Sequence, residues 1–149
     1  MIIRKAEPAD IAPAAAIPAQ AYQTDFRPII GDGASAYDVA HFETRFERDL
    51  EHLTVLDDGG VKGVLLLLDG HIAMLFVAET GHRHGAALLA HAEVHGARSL
   101  EVFAANAGAR RFYERAGWHI AREYSRNFAG AEHRFLRYEK SPEFTQEGA

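Results

Sequence analysis

The chain has 149 residues, of which 48% are hydrophobic and 25% charged, and its formal net charge is −5. These values predict one ordinary globular domain and argue against a general nucleic-acid binder. The absence of cysteine excludes disulfides, thiolate metal sites and cysteine nucleophiles. Arg4 and Lys5 follow the start without an apolar stretch after them, which does not fit a signal peptide. Because no apolar run is long enough to span a membrane, we expect a cytoplasmic location.

The first third of the chain predicts a strand and two helices. The letters MIIRKAE indicate the strand, and an alanine-rich helix follows over residues 9–24. Pro18 should kink or divide this helix, because proline lacks a backbone donor. Residues 25–34 carry two glycines and a proline and predict a loop. Ser35 is the expected N-cap of the second helix. The apolar face of that helix is expected to consist of Val39, Phe42, Phe46 and Leu50.

Three successive antiparallel strands are predicted next. The sequence Asp57-Asp58-Gly59-Gly60 between apolar runs is a strong hairpin signal, and Asp69-Gly70 marks a second turn. The third strand covers about residues 71–78. It leads into GHRHGAALLAHAEVH, residues 81–95, which reads as a small-residue loop running into a helix that Gly96 should end.

A strand, a helix and two closing strands are predicted for the rest of the chain. SLEVFAA is the strand, and residues 107–116 form a helix that should stop at Gly117. WHIAREYSRNF and EHRFLRYEK are the closing strands. We expect the last nine residues, SPEFTQEGA, to be a frayed tail. The order of elements is therefore β-α-α-β-β-β-α-β-α-β-β.

Residues 106–118 read NAGARRFYERAGW. This segment resembles the N-x-x-A-x-x-F-Y-x-x-x-G-[FW] signature of the GNAT superfamily, the acyl-CoA-dependent N-acyltransferases. The start of the chain, Ile3-Arg4-Lys5-Ala6 with Asp10, and the order of elements are similar to the same family. The resemblance implies a three-layer α+β fold with a mixed, mostly antiparallel central sheet of about seven strands flanked by four helices. It also implies one acetyltransferase domain over residues 1–140, with residues 141–149 as a flexible tail.

Asn106 and Tyr113 are seven residues apart, about two helical turns, so both can face one cleft. Read from the residues alone, Asn106 fits an N-cap and Tyr113 a half-buried core tyrosine whose hydroxyl finds a backbone partner. The resemblance implies instead that Tyr113 lies near the thiol of acetyl-CoA and acts as the catalytic acid. Asn106 and Phe112 are then cofactor contacts, although Phe112 and Trp118 most simply belong to the core.

The stretch at residues 81–95 fits a phosphate loop in two registers. The resemblance implies that the acetyl-CoA pyrophosphate binds a loop of pattern [QR]-x-x-G-x-[GA] at a helix N-terminus, where amides favour anions. If His82 replaces the leading residue, the loop consists of His82, Arg83, His84, Gly85, Ala86 and Ala87. The pair Leu88-Leu89 then comes two positions early. Taking Gly85 as the final glycine restores the helix phase, but it puts Arg83, a candidate phosphate contact, where glycine is expected.

The histidines of the same stretch leave a metal site as an alternative. His91 and His95 share one helix face with Glu93 between them, but H-x-E-x-H is not the H-E-x-x-H zinc signature. His82 and His84 are further candidate ligands. Solvated helix histidines explain the pattern more simply, so no metal is expected. A histidine-based metal-binding module nevertheless stays open as a different class of function.

The resemblance implies that a primary amine of a small molecule or peptide attacks acetyl-CoA directly in a ternary complex. The cleft lies between the strands at residues 71–78 and 99–105. The main chain of Leu75, Phe76 and Val77 is expected beside the cofactor. A homodimer is common for this fold and is expected on that ground, whereas no nucleic-acid or membrane partner is expected.

Three aspects of the site stay open. The general base is not identified, because His41, Glu43, His71 and Glu79 are all within reach of the predicted cleft. The acceptor is expected to be framed by residues 25–34 and 128–133. Its candidate contacts are Tyr22, Phe26 and Arg27. Because the phosphate loop departs from the pattern, a domain that binds a CoA ester without catalysing transfer is the alternative within the same fold.

Overall fold

The computed structural model describes residues 1–141, so residues 142–149 of the predicted tail lie outside the described residues. Its strands are β1 (Ile2–Lys5), β2 (Leu53–Asp57), β3 (Val61–Leu68), β4 (His71–Val77), β5 (Ser99–Phe103), β6 (His119–Phe128) and β7 (Ala131–Glu139). They form one sheet in the order β1-β2-β3-β4-β5-β7-β6. Every neighbouring pair is antiparallel except β4 with β5. The predicted mixed, mostly antiparallel sheet is confirmed.

The helices of residues 1–141 are α1 (Ile11–Ala21), α2 (Arg27–Ile30), α3 (Val39–Arg48), α4 (His84–Val94) and α5 (Ala107–Arg115). Since α2 is a single turn, four longer helices remain, as the resemblance implies. Val55 and Val64 pack with α1 and α3, whereas Leu56 and Leu65 pack with α4 and α5. Alternate residues of a strand point to opposite faces of a sheet, so the helices form two outer layers. None of these helices is long and apolar enough to cross a lipid bilayer.

The predicted turns and helix ends lie where their signals put them. The segment 57–60 joins β2 to β3, and Asp69 (φ 51°) and Gly70 (φ 82°) join β3 to β4. Gly96 (φ 95°) follows α4 and Gly117 (φ 93°) follows α5. Both glycines have the left-handed backbone that commonly ends a helix. The hairpins and both helix ends are therefore confirmed.

Residues 25–34, predicted as a loop, are helical instead. A π-helical segment (Tyr22–Phe26) follows α1, then comes α2, and a 3-10 segment (Gly31–Ala36) leads towards α3. Ile30 and Ala34 are buried in a cluster with side chains of the sheet. The loop prediction was wrong because burial of these side chains outweighs the low helix propensity of the glycines and the proline.

The start of α3 and the course of α1 also differ from the predictions. Ser35 is exposed in the 3-10 segment and is not the N-cap. Asp38 caps α3, and its carboxylate accepts a hydrogen bond from the amide of His41 at 2.9 Å. Pro18 lies inside α1 without dividing it, and its ring is fully buried. Tertiary packing holds α1 together past the missing donor.

Candidate active site

The parallel strands β4 and β5 pair only at their first residues. His71 is opposite Ser99 and Ile72 is opposite Leu100, and no further register pairs follow. Beyond this point the two strands separate, and a cavity of about 960 Å³ lies between them. Its walls include residues 73–77 of β4 and residues 101–103 of β5. The gap predicted between these two strands is therefore present.

The edge of β4 that faces the gap has free backbone groups. On the other edge, the amide of Ala78 donates to the carbonyl of Lys62 at 2.8 Å, and Val77 is opposite Gly63. Backbone groups alternate in direction along an antiparallel strand, so those of Leu75 and Val77 point into the gap. An extended ligand can bind there as an added strand.

Helix α4 begins at the wide end of the gap without a side-chain cap. Its first backbone hydrogen bond runs from the amide of Ala87 to the carbonyl of Arg83 at 3.1 Å. The amides of residues 84–86 therefore have no acceptor within the helix. Free amides and the positive end of the helix dipole make this terminus suited to an anion.

The backbone at Arg83 distinguishes the two registers of the loop. Arg83 has φ 61°, the left-handed conformation that favours glycine. Leu88 and Leu89 are buried in the phase of α4. Both observations favour the register in which Gly85 is the final glycine and Arg83 occupies a glycine position. Gly85 also lines the cavity, and a Cβ there would be 3.5 Å from the ring of Phe112.

The histidines of this loop have different surroundings. His84 is 3% exposed, and its Nε2 lies 3.0 Å from the carboxylate of Asp58 in the β2–β3 turn. This contact connects the start of α4 to the neighbouring hairpin. His82 is exposed and lies 3.6 Å from the carboxylate of Glu79. Arg83 is also exposed.

Helix α5 begins at the same end of the gap, and its first turn is capped. The side-chain oxygen of Asn106 accepts a hydrogen bond from the amide of Ala109 at 3.1 Å. Asn106 and Phe112 both line the cavity. The N-cap interpretation of Asn106 agrees with this geometry and leaves its amide group at the cavity wall.

Tyr113 lies two turns further along α5 and also lines the cavity. It is 7% exposed, and its hydroxyl makes no hydrogen bond within residues 1–141, so the backbone partner considered from sequence is not found. Burial raises the pKa of the Tyr113 phenol above its ordinary value of 10.0. The phenol is protonated at neutral pH, as a proton donor must be, and the raised pKa makes it a weaker acid than a free phenol.

Glu101 and Arg126 form an ion pair at the cavity wall that the sequence reasoning missed. Their side chains are 2.5 Å apart, and the Tyr124 hydroxyl also donates to Glu101. Burial raises the pKa of Glu101, but the hydrogen bonds from Arg126 and Tyr124 outweigh it and hold the pKa below its ordinary value. The sequence signal that pointed to Glu101 was a glutamate in the middle of the largely apolar strand SLEVF.

The residues considered as general base do not gather at the cavity. His41 lines it and packs edge-on against Tyr37, with ring centroids 4.9 Å apart. His71 lies at the closed end of the gap, where its ring nitrogen is 2.8 Å from the Ser99 hydroxyl. Neither Glu43 nor Glu79 is among the lining residues.

Two of the three acceptor candidates line the cavity. Tyr22 and Phe26 form part of its wall, with ring centroids 4.5 Å apart. Arg27 is not in the wall, because its guanidinium donates to the side chains of Gln23 and Ser35. The helical course of residues 22–36 explains the difference, since it carries Arg27 to another face.

Within residues 1–141, no group of three or more histidine, aspartate or glutamate side chains is placed to hold a metal ion. His91 and His95 stack on each other, with ring centroids 4.1 Å apart. A ring nitrogen of His95 also lies 2.8 Å from the carbonyl of His91. These contacts give no support to the metal-binding alternative.

A family model described as an acetyltransferase (GNAT) domain matches residues 33–141. Among solved structures, the apo form of YjaB from Escherichia coli is similar, with a TM-score of 0.73 at 20% identity over 93% of this chain and 97% of YjaB. The ribosomal-protein-alanine N-acetyltransferase of Brucella melitensis has a TM-score of 0.68 at 19% identity over 94% of this chain and 99% of that protein.

YncA of Salmonella typhimurium, solved with its cofactor acetyl-CoA, has a TM-score of 0.67 at 18% identity over 100% of this chain and 99% of YncA. At these identities the similarity shows a shared fold. No curated protein sequence matches the chain.

Proposed function

The chain belongs to the acetyltransferase (GNAT) domain family, and from this premise we propose that residues 1–140 transfer an acetyl group from acetyl-CoA to a primary amine. The observation that carries the proposal is the gap between β4 and β5, which ends at the uncapped start of α4 and contains the unpaired phenol of Tyr113. An extended thioester with a phosphate group at one end has the shape and charge that such a site accepts.

The donor site consists mainly of main-chain groups. The free backbone groups of Leu75 and Val77, on either side of Phe76, bind the extended arm of acetyl-CoA, and the free amides of residues 84–86 in the loop 82–87 face its pyrophosphate. Arg83 supplies a positive charge at the same end, and Gly85 leaves room for close approach of the backbone. Asn106 and Phe112 border the site from α5. The acetyl-CoA complex of YncA, a protein with the same fold, supports this assignment.

The residues of the chain have separate tasks in the transfer. Bound acetyl-CoA supplies the activated acyl group. The amides of β4 stabilise the negative charge that develops on the acyl oxygen when the amine attacks. Tyr113 gives its proton to the departing thiolate, whose ordinary pKa is about 8.5. Direct transfer needs no covalent bond to the protein, because both substrates are held in one cleft.

Glu101 holds the amine before the reaction. A free alkylamine resembles lysine, with a pKa of about 10.4, and arrives as an ammonium ion. Glu101 stays ionised at neutral pH, since Arg126 and Tyr124 lower its pKa. Its carboxylate accepts a hydrogen bond from the ammonium ion. His41 also lines the cavity and is the candidate acceptor for the proton that the amine loses.

A thermal melt with and without excess acetyl-CoA, recorded in EDTA, tests the donor site. Ligand at a hundred times its dissociation constant adds about 2.7 kcal/mol, which raises the Tm by several degrees. Release of free thiol in the presence of primary amines then tests transfer. A Tm shift without thiol release for any amine would identify a CoA-ester-binding domain. No shift at all would contradict the proposal.

A further inference from the structure

One part of the cavity is walled by aromatic side chains, which we call the aromatic wall: Tyr22, Phe26, Tyr37, Phe103 and Phe128. The ring of Tyr37 stacks between two others, 4.7 Å from Tyr22 at 24° and 5.3 Å from Phe128 at 9°. Phe103 meets Phe26 and Phe128 edge-on, with centroids 5.4 and 5.3 Å apart. The five rings therefore form one connected surface.

The aromatic wall has little charge of its own. Burial raises the pKa of Tyr22, whose hydroxyl makes no hydrogen bond within the described residues and stays neutral. Beside the wall, Glu101 and Arg126 neutralise each other at 2.5 Å. The guanidinium of Arg126 also stacks 4.1 Å from the ring centroid of Phe135. This part of the cavity is thus suited to a flat apolar group.

A tight backbone contact closes one side of the aromatic wall. Ala129, next to Phe128 in the β6–β7 turn, lies against Gly33 of the 3-10 segment. A Cβ on Gly33 would be 2.8 Å from the carbonyl oxygen of Ala129. The hairpin tip and the segment therefore meet closely, with the methyl group of Ala129 as the side chain at the contact. An extended peptide needs an open groove at such a place, whereas a small molecule does not.

The geometry points to an arylalkylamine as the acceptor: a primary amine joined through a short aliphatic linker to a flat aromatic group, with no carboxylate and no second amine. This inference rests on the proposed function and names its acceptor. The aromatic group stacks on the aromatic wall. The ammonium ion donates to Glu101, whose neighbours on β5 border the gap.

The charges around the cavity disfavour two other classes of amine. A polyamine needs a carboxylate for each of its ammonium groups, but Asp25 and Glu101 are the two carboxylates that line the described cavity. An amino acid needs a free cation for its carboxylate. Both arginines of the wall are paired, Arg126 with Glu101 and Arg45 with Asp49 at 2.7 Å.

Four amines test the inference with acetyl-CoA as donor: phenethylamine, cyclohexylethylamine, phenylalanine and spermidine. Phenethylamine and cyclohexylethylamine differ in the planarity of the ring, so their ratio measures stacking. We expect kcat/KM for phenethylamine to exceed that of each other amine by about tenfold, the effect of one or two favourable ring contacts. Equal or better turnover of any of the other three would overturn the inference and leave the proposed function intact.

Variants of Tyr37 test whether the aromatic wall causes the preference for phenethylamine. Because Tyr37 holds the rings of Tyr22 and Phe128 in place by stacking between them, Tyr37→Leu should abolish the preference for phenethylamine over cyclohexylethylamine, whereas Tyr37→Phe should retain it. If Tyr37→Leu does not fold, Phe128→Leu takes its place. A preference that survives loss of the ring would overturn the assignment.

Calorimetry with phenethylamine and with N-acetylphenethylamine, in the presence and absence of CoA, measures binding without turnover. Binding of these aromatic compounds, with about tenfold weaker binding of the cyclohexyl analogues, is the expected result. This pattern supports the aromatic wall even if acetyl-CoA gives no Tm shift and the proposed function fails. Absence of binding under both conditions would overturn the inference.

Discussion

Helices α4 and α5 both begin at the wide end of the gap between β4 and β5, but their first turns differ. In α5 the side chain of Asn106 accepts the hydrogen bond of the Ala109 amide, so the turn satisfies its own donor. In α4 no side chain caps the turn, and the amides of residues 84–86 are left for a ligand. The start of α4 therefore leaves three successive amides for a ligand, whereas the start of α5 has a side-chain cap.

The uncapped end is held by other contacts. A missing N-cap costs about 1 kcal/mol of stability. His84, 3% exposed at the first position of α4, compensates in part through its contact with Asp58 in the adjacent turn. The donors of α4 therefore stay free while the backbone that carries them is fixed. The capped helix α5 instead projects Tyr113 into the cavity two turns further on.

The largest effect is expected from Tyr113→Phe, which removes the proposed acid and keeps the ring. Loss of a general acid lowers kcat by about 100-fold or more. The dissociation constant of acetyl-CoA should stay the same, because the donor amides belong to α4. Steady-state kinetics and the acetyl-CoA melt measure the two quantities on the same protein. A fall in kcat below about tenfold would count against the acid role of Tyr113.

A negative charge introduced at the start of α4 tests whether the free amides of this helix bind the phosphates of acetyl-CoA. Ala86 is the exposed third residue of this helix. Ala86→Glu places a carboxylate beside the free amides, where it favours the helix by about 0.3–1 kcal/mol. The same carboxylate repels the pyrophosphate and should weaken acetyl-CoA binding by about tenfold. Stability and affinity therefore change in opposite directions.

The matched control for that variant is Ala86→Gln, which has the same size without the charge. Titration of acetyl-CoA and a denaturant melt are carried out on both variants. Equal affinity for Ala86→Glu and Ala86→Gln would mean that the phosphates bind elsewhere, and the contrast between α4 and α5 would lose its functional meaning.

At the capped end, Asn106→Ala should affect mainly stability. Removal of the cap costs about 1 kcal/mol and lowers the Tm by about 4 °C. Asn106→Asp keeps a cap acceptor and serves as the control. Acetyl-CoA affinity should fall less than in Ala86→Glu. A variant as stable as the original chain would show that the Asn106 side chain does not stabilise α5.

Much of the sheet and the ends of two helices could be predicted from the sequence, because short-range signals determine them. Asp69-Gly70 and the segment 57–60 sit between apolar runs, and Gly96 and Gly117 follow helical runs, so local conformation decided each. The helical course of residues 22–36 could not be predicted in this way. Its glycines and Pro28 indicate a loop locally, and contacts with distant strands override them.

The sequence predicted those residues of the site that belong to a recognisable motif. Tyr113 and Asn106 follow from the signature of residues 106–118, and both line the cavity. The pair of Glu101 with Arg126 spans 25 residues of sequence. The two side chains meet because β5 and β6 both lie next to β7 in the sheet. Local sequence patterns do not reveal the order of the strands in a sheet. The register of the phosphate loop could be assigned only once the backbone angle of Arg83 was known.

The smallest effect is expected where the start of α4 meets the β2–β3 turn. The hydrogen bond from His84 holds the pKa of Asp58 below its ordinary value of 3.8. A lowered carboxylate pKa contributes stability above that ordinary value, and the contribution disappears as the pH falls through the folded-state pKa. Asp58→Asn should therefore lower the Tm by about a degree at pH 6, since the carboxylate is exposed and such pairs contribute little.

The difference in Tm between the original chain and Asp58→Asn should shrink below pH 4, where the carboxylate becomes protonated in both states. Melts at several pH values between 6 and 3 measure this difference directly. Glu79→Gln, which removes the exposed carboxylate beside His82, is the matched control, because it changes the same charge near the loop without touching His84. A difference that grows as the pH falls would mean that the contact with His84 does not stabilise the uncapped start of α4. The free amides of α4 would then be held by the backbone at Arg83 alone.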